Sequence, residues 1–176
     1  RSKIPKESFD QAARGGTLSP EMQARGMRLE RTVMPGTYYL GFNMRDPVVG
    51  HDAGDRGRKL RQAMSLVVDA PEFQRVFLNG RGVTAQSPVP PGLFGYDPDY
   101  RNPFRQVDPE RARRLLAEAG YPGGVDPATG RPLRISFDTG DPSVQARLRY
   151  EFFVATWRKL GLDVEIAATS YNQFQD

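Results

Sequence analysis

DPERARRLLAEAGYPGG, Asp108 to Gly124, is the stretch from which the rest of the chain can be read. Asp108 before Pro109 marks a helix start: the carboxylate accepts a hydrogen bond from an otherwise orphaned backbone N–H, and proline's fixed φ suits the first helical position. Ala112, Leu115, Leu116 and Ala119 recur at i, i+3, i+4 and i+7, so one face is apolar, with Arg111, Arg113, Arg114 and Glu118 off it. Glu110 to Arg114 and Arg114 to Glu118 are spaced as i, i+4 ion pairs. Gly120 ends the helix. The spacing predicts an amphipathic surface helix that buries Leu115 and Leu116 and keeps its arginines in water.

Downstream, Gly123 to Arg131 is turn chemistry, and Leu133, Ile135 and Phe137 then alternate with Arg134 and Ser136 as in a half-buried strand. Asp141 and Pro142 repeat the cap-plus-proline signal and open a helix running to Leu160, with Val144, Leu148, Phe152, Ala155 and Trp157 at apolar positions and Gly161 as its stop. Leu162, Val164 and Ile166 alternate again in LDVEIA. Strand, helix, strand in this order is a βαβ unit, which predicts two parallel strands joined by a right-handed crossover.

Upstream, SFDQAARGG and SPEMQARG favour two short helices, each closed by glycine. Met27, Leu29, Val33 and Met34 suggest a strand, Pro35 and Gly36 a turn, and Thr37 to Phe42 a second strand rich in β-branched and aromatic residues. In DRGRKLRQAMSLVVD, Leu60, Ala63, Met64, Val67 and Val68 form a helical stripe. Pro71 restarts a shorter helix carrying Phe73, Val76 and Phe77, which Asn79 and Gly80 stop. Residues 79–105 hold five prolines and four glycines without either period, yet also Val83, Val89, Leu93, Phe94, Tyr96, Tyr100 and Phe104. That composition reads as a long ordered loop lying on other structure.

The chain's 176 residues fit one domain with a real core, and no stretch nears the roughly 18 apolar residues of a membrane span. Arg1 in place of an initiator Met reads as a trimmed end, so a missing signal peptide carries no information about compartment. Zero cysteines exclude disulfides, thiolate catalysis and zinc–thiolate sites. His51, the single histidine, sits in a polar stretch with no nucleophile nearby, and NGRGV and YPGGV lack the spacing of a phosphate-cradling loop. Acidic residues are dispersed, with no catalytic pair or metal box. Neither catalysis, nor a cofactor, nor a metal is expected. The net charge of +4 and pI of 9.6 leave a basic nucleic-acid-binding domain as an alternative, against which the arginines alternate with acids and lack aromatics placed to stack bases.

Three segments in order, YYLGFNMRDP (Tyr38 to Pro47), KLRQAMSLVVDAPEF (Lys59 to Phe73) and DPERARRLLAEAGYPGG, resemble the extracytoplasmic solute-binding proteins of peptide ABC importers, family 5. AQSPVPPGLFGY and WRKLGLDVEIAATSYNQFQD fit the same pattern, so the resemblance runs from about Phe9 to the last residue. It implies a periplasmic-binding-protein-like, type II α/β lobe, with a mixed sheet flanked by helices and the βαβ unit at its end. Residues 1–176 are then a single domain, the central part of the second lobe of a two-lobed receptor. Such a receptor closes on a peptide or other small solute and delivers it to the transmembrane subunits of an ABC permease. Its remaining partners are the other parts of the same full-length protein, with no nucleic acid. The location implied is periplasmic, or extracellular on a lipid anchor in a Gram-positive cell. The family's acidic anchor for a peptide amino group falls in a Trp/Asp/Tyr-rich segment expected just after Asp176.

The resemblance makes TYYLGFN the strand entering the second lobe near the hinge, with aromatic side chains facing the cleft. Alternation sets Tyr39, Gly41 and Asn43 on one face and Tyr38, Leu40 and Phe42 on the other. Tyr38, Tyr39 and Asn43 are therefore candidate ligand contacts, each competing with a packing role. The loop FDTGDPS follows a strand's carboxyl end and opens a helix, where α/β folds place ligands. Thr139, Gly140, Asp141 and Ser143 are the second candidate set, Asp141 also being the expected helix cap.

Overall fold

The computed structural model describes residues 4, 8–14, 17–30 and 32–175. The elements in order are α1 (Phe9–Ala12), β1 (Ala13–Arg14), β2 (Thr17–Leu18), α2 (Pro20–Ala24), α3 (Gly54–Ser65), α4 (Ala70–Leu78), α5 (Pro109–Glu118), a 3-10 turn (Pro122–Gly124), β3 (Val125–Asp126), β4 (Arg131–Pro132), β5 (Arg134–Thr139), α6 (Val144–Arg158), β6 (Asp163–Ala168) and α7 (Tyr171–Gln175). The chain divides into two compact units, residues 1–38 with 70–100, and residues 39–69 with 101–176.

In the first unit β1 and β2 pair antiparallel, and Ser19 caps α2 by accepting from the Met22 N–H. Gly15 and Gly16, the expected stop of the first helix, lie outside the described residues. Phe73 and Phe77, one turn apart on α4, pack in a tilted arrangement with ring centroids 4.9 Å apart. Asn79 and Gly80 end that helix in the left-handed region, at φ of 52° and 67°. Residues 79–100 of the proline-rich stretch carry no helix or strand, and the Thr37 hydroxyl donates to the Pro88 carbonyl at 3.1 Å.

The second unit holds the core. Leu60, Ala63 and Met64 of α3, Ala112 and Leu116 of α5, Ile135 of β5, Val164 of β6, and Val154 and Trp157 of α6 are buried together with Leu133, Leu160 and Leu162. α5 obeys its sequence. The Asp108 carboxylate accepts from the Arg111 N–H at 2.9 Å, and at the other end Tyr121 donates to Leu116 and Gly120 to Ala117, a Schellman closure that needs the positive φ of Gly120. Leu115 is only half-buried. Glu118 does not pair with Arg114. It reaches Lys59 of α3 at 3.0 Å, while Arg56 donates to the Ala119 carbonyl and lies 5.1 Å from the Tyr121 ring centroid.

β5 and β6 pair in parallel from Arg134↔Asp163 to Thr139↔Ala168, with α6 as the crossover. Two expectations change here. First, α6 buries Ala146, Val154 and Trp157, while Val144 and Leu148 are 79% and 61% exposed. The large aromatic side chains decide the rotation of the helix: Phe137 of β5 sits 5.4 Å from Tyr150 and 5.7 Å from Trp157. Second, the strands expected at 27–34 and 37–42 are absent among the described residues. β-propensity alone forms no ladder without a partner, and none of the strand pairs includes this segment.

Candidate functional site

The carboxyl ends of the two parallel strands bring together Thr139, Gly140, Asp141 and Ser143 after β5 and Thr169 and Ser170 after β6. Thr139 is the one polar side chain buried among the described residues, at 6% exposure. Its carbonyl accepts from the Thr169 N–H at 2.9 Å, and its hydroxyl oxygen accepts from the Asp141 N–H at 3.3 Å. A β-carbon on Gly140 would stand 3.1 Å from Phe174 Cβ and 3.2 Å from Tyr171 Cα, so the missing side chain is what seats α7 on the end of β5.

Asp141 does not cap α6; Ser143 does. Ser143 is extended at φ −64° and ψ 150°, and its hydroxyl oxygen accepts from the Ala146 N–H at 3.2 Å. Asp141 instead closes a turn one step earlier, its Oδ1 accepting from the Ser143 N–H at 3.0 Å. Asp141 and Ser143, two positions apart, divide the work because an Asx turn uses the carboxylate before the helix begins. Hydrogen bonds from the Ser143 hydroxyl and backbone N–H hold the Asp141 carboxyl below its ordinary value, helped by the Arg149 guanidinium at 3.9 Å. The polar side chains of this loop are thus engaged in shaping it. What they offer outward is a hydrogen-bonded turn in which Asp141 faces Arg149, flanked by the partly exposed rings of Tyr171 and Phe174.

Tyr38 and Tyr39 are 93% and 78% exposed. Asn43 heads a tight turn: its side-chain oxygen accepts from the Arg45 N–H at 3.0 Å, and Asp46 Oδ1 accepts from Val48 and Val49 at 2.7 and 2.8 Å. Arg61 of α3 donates to the Val49 and Gly50 carbonyls and fixes the turn to the helix. No hydrogen bond among the described residues joins Tyr39 or Asn43 to the loop 139–143. Sequence reasoning missed Thr169, Arg149, Tyr171 and Phe174. The signal for the first was present, since a parallel strand ending at Ala168 must place the next residue beside Thr139.

No group of His, Cys, Asp and Glu among the described residues could hold a metal. A groove of about 570 Å³ lies elsewhere, at the start of α5, between Leu66, Pro103, Val107 and Arg111. Several of the basic side chains are paired with acids: Arg75 with Glu72, Arg134 with Asp163 and Glu165, Arg147 with Glu151. Nothing among the described residues supports the nucleic-acid alternative.

A small parallel α/β unit with loops gathered at its strand ends is the architecture of a periplasmic-binding-protein lobe. The sequence model for bacterial extracellular solute-binding proteins, family 5 Middle, matches residues 8–176, and the chain belongs to this family. Heme-binding protein A of Haemophilus influenzae is 33% identical over 105 residues, covering 59% of this chain and 18% of that protein. The dipeptide-binding protein of Escherichia coli is 28% identical over 117 residues, covering 66% of this chain and 21% of that protein. Among solved structures, the oligopeptide-binding protein AppA of Bacillus subtilis, in complex with a nonapeptide, superposes with a TM-score of 0.64 at 20% identity over 77% of this chain and 26% of that one. The chain therefore spans about a fifth to a quarter of the length of these relatives.

Proposed function

We propose that this chain is the central part of the second lobe of the substrate-binding component of an ABC importer, and that the full-length protein captures peptides outside the cytoplasmic membrane. The observation that carries the reading is the match of residues 8–176 to the middle portion of family 5. Relatives named for dipeptides and oligopeptides favour a peptide as solute. The mechanism is closure of two lobes around the solute, with the closed state populated by contacts that each lobe contributes, followed by hand-over to the permease. Tyr38, Tyr39 and Asn43 near the hinge and the Thr139–Ser143 turn are the contacts assigned to this lobe, without catalysis or cofactor. The polar groups of the turn being internally engaged, its share is the backbone and shape of a preformed wall. Native mass spectrometry of the full-length protein purified from the periplasm tests the solute class. A ladder of released peptide masses is expected; a single non-peptidic ligand contradicts the peptide assignment.

A further inference from the structure

The first unit carries a reactive dipeptide at the end of α4. Of the chain's four asparagines, Asn43, Asn79, Asn102 and Asn172, only Asn79 is followed by glycine. The pair is also the turn that closes the helix: Asn79 and Gly80 sit at φ of 52° and 67°, and the Gly80 N–H donates to the Gln74 carbonyl at 2.9 Å. Among the described residues Asn79 is the one non-glycine residue with a positive φ, which asparagine tolerates better than most side chains. Gly80 is exposed, and a β-carbon built on it would meet nothing within 4 Å.

Two requirements of cyclic imide formation meet here. The side-chain amide carbon of an asparagine can close a five-membered ring with the backbone nitrogen of the next residue, and glycine puts no β-carbon in the path of closure. Once base has taken the Gly80 amide proton, the nitrogen bonds to Asn79 Cγ and the Cγ–Nδ2 bond breaks, the nitrogen leaving as ammonia with a proton from solvent. Water then opens the imide. Cleavage at Cγ gives aspartate, and cleavage at the main-chain carbonyl gives isoaspartate, through whose side chain the backbone now runs. Nothing is oxidised or reduced.

The same geometry sets a brake. The attacking nitrogen is the donor of the hydrogen bond that closes the helix, so it is occupied until the end of α4 opens, and helix ends open locally at lower cost than a core. We propose that Asn79 is a deamidation site of this protein, gated by opening of the α4 terminus. Each product weakens the element that restrained the reaction. A new carboxylate stands at the carbonyl end of the helix, where negative charge is unfavourable. Isoaspartate lengthens the backbone at the turn and pulls the Gly80 N–H away from Gln74. The modification is one-way and loosens both the end of α4 and the head of the proline-rich stretch. The inference stands whatever solute is bound.

Peptide mapping by mass spectrometry tests it, on the full-length protein containing this chain, incubated at mildly alkaline pH both folded and in guanidinium chloride, with isoaspartate counted by enzymatic methylation. Aspartate and isoaspartate are expected to accumulate at position 79 ahead of positions 43, 102 and 172. Unfolding is expected to speed the reaction at 79 by about tenfold or more, because the folded rate is scaled by the fraction of time the helix end is open. Gly80→Ala is compared in guanidinium chloride, where its effect on folding plays no part, and is expected to slow the reaction by a similar factor. Product spread evenly over the four asparagines, or an Asn79 that stays intact even when unfolded, overturns the site. Equal rates in the folded and unfolded protein overturn the gate, and an undiminished rate in Gly80→Ala overturns the imide route.

Discussion

Gly161 and Gly124 face each other across the second unit with no room for a side chain on either. A β-carbon on Gly124 would lie 2.6 Å from the Leu160 carbonyl oxygen, and one on Gly161 would overlap the Gly123 carbonyl. Both residues are in the left-handed region, at φ of 78° and 86°. The turn that ends the α5 segment is thereby pressed onto the turn that ends α6, and the Gly124 carbonyl accepts from the Leu133 N–H at 2.7 Å at the head of β5. The YPGG and LGL motifs are two halves of one close approach.

Gly161→Ala and Gly124→Ala each meet a backbone overlap in addition to about 1–2 kcal/mol of left-handed strain. Each is expected to cost roughly 3 kcal/mol or more, the range reserved for changes the structure cannot absorb. Gly130→Ala is the control, since Gly130 shares a positive φ of 67° but has open space around it. Urea denaturation of the three variants checks this; equal losses at all three positions contradict the close approach.

Trp157 ties α6 to α3 by donating its indole N–H to the Met64 carbonyl at 3.0 Å, inside the core. Trp157→Phe keeps much of the packing but leaves a buried carbonyl short of a donor, an expected loss of about 1–3 kcal/mol. Trp157→Ala is expected to cost about 3–5 kcal/mol. Thermal unfolding followed by far-ultraviolet circular dichroism gives both values without depending on the chain's single tryptophan as the probe.

The division of labour between Asp141 and Ser143 predicts an order. Ser143→Ala and Asp108→Ala each remove a helix cap and are expected to cost about 1 kcal/mol. Asp141→Asn preserves an accepting oxygen for the Ser143 N–H and is expected to stay within about 0.5 kcal/mol of the parent. A larger loss for Asp141→Asn than for Ser143→Ala contradicts the cap assignment.

The reading from sequence succeeded where the determining contacts are local. Asp108, Pro109 and Gly120 bound α5, and the alternation of residues 133–137 and 162–166 reports two half-buried strands, because caps, stops and periodicity are properties of neighbouring residues. It missed where the decision is tertiary. Thr37 to Phe42 has strand composition but pairs with no strand here, and Val144 and Leu148 look like core positions until Tyr150 and Trp157 set the rotation of α6. The Gly124–Gly161 approach joins turns far apart in sequence and leaves no local sign beyond two glycines. At the candidate site, Thr139 to Ser143 was legible as a strand-end turn, but the seating of α7 against Gly140 was not.

The ion pairs fix the pH dependence of the second unit. The Asp55 carboxyl is held below its ordinary 3.8 by hydrogen bonds from Arg58 and Lys59, and Asp141 is lowered in the same direction by Ser143. Lys59 is raised above its ordinary 10.5 by Glu118 and Asp55. A lowered carboxylate stabilises the fold above its unfolded value and loses that contribution as pH falls through the folded one. A raised lysine stabilises below its unfolded value and loses it as pH rises through the folded one. Stability is therefore expected to be level from about pH 5 to 9, to fall below about pH 4, and to fall again above about pH 10.5. Thermal midpoints across pH check this, and Lys59→Met is expected to remove the Lys59 share of the alkaline decline.

The central claim is that this chain is one part of a two-lobed receptor and does not capture solute alone. Calorimetric titration of the 176-residue chain and of the full-length protein with the same dipeptides and tripeptides tests it most directly. The account predicts micromolar or tighter binding by the full-length protein and no heat of binding from the chain up to millimolar peptide. Micromolar binding by the chain alone contradicts it.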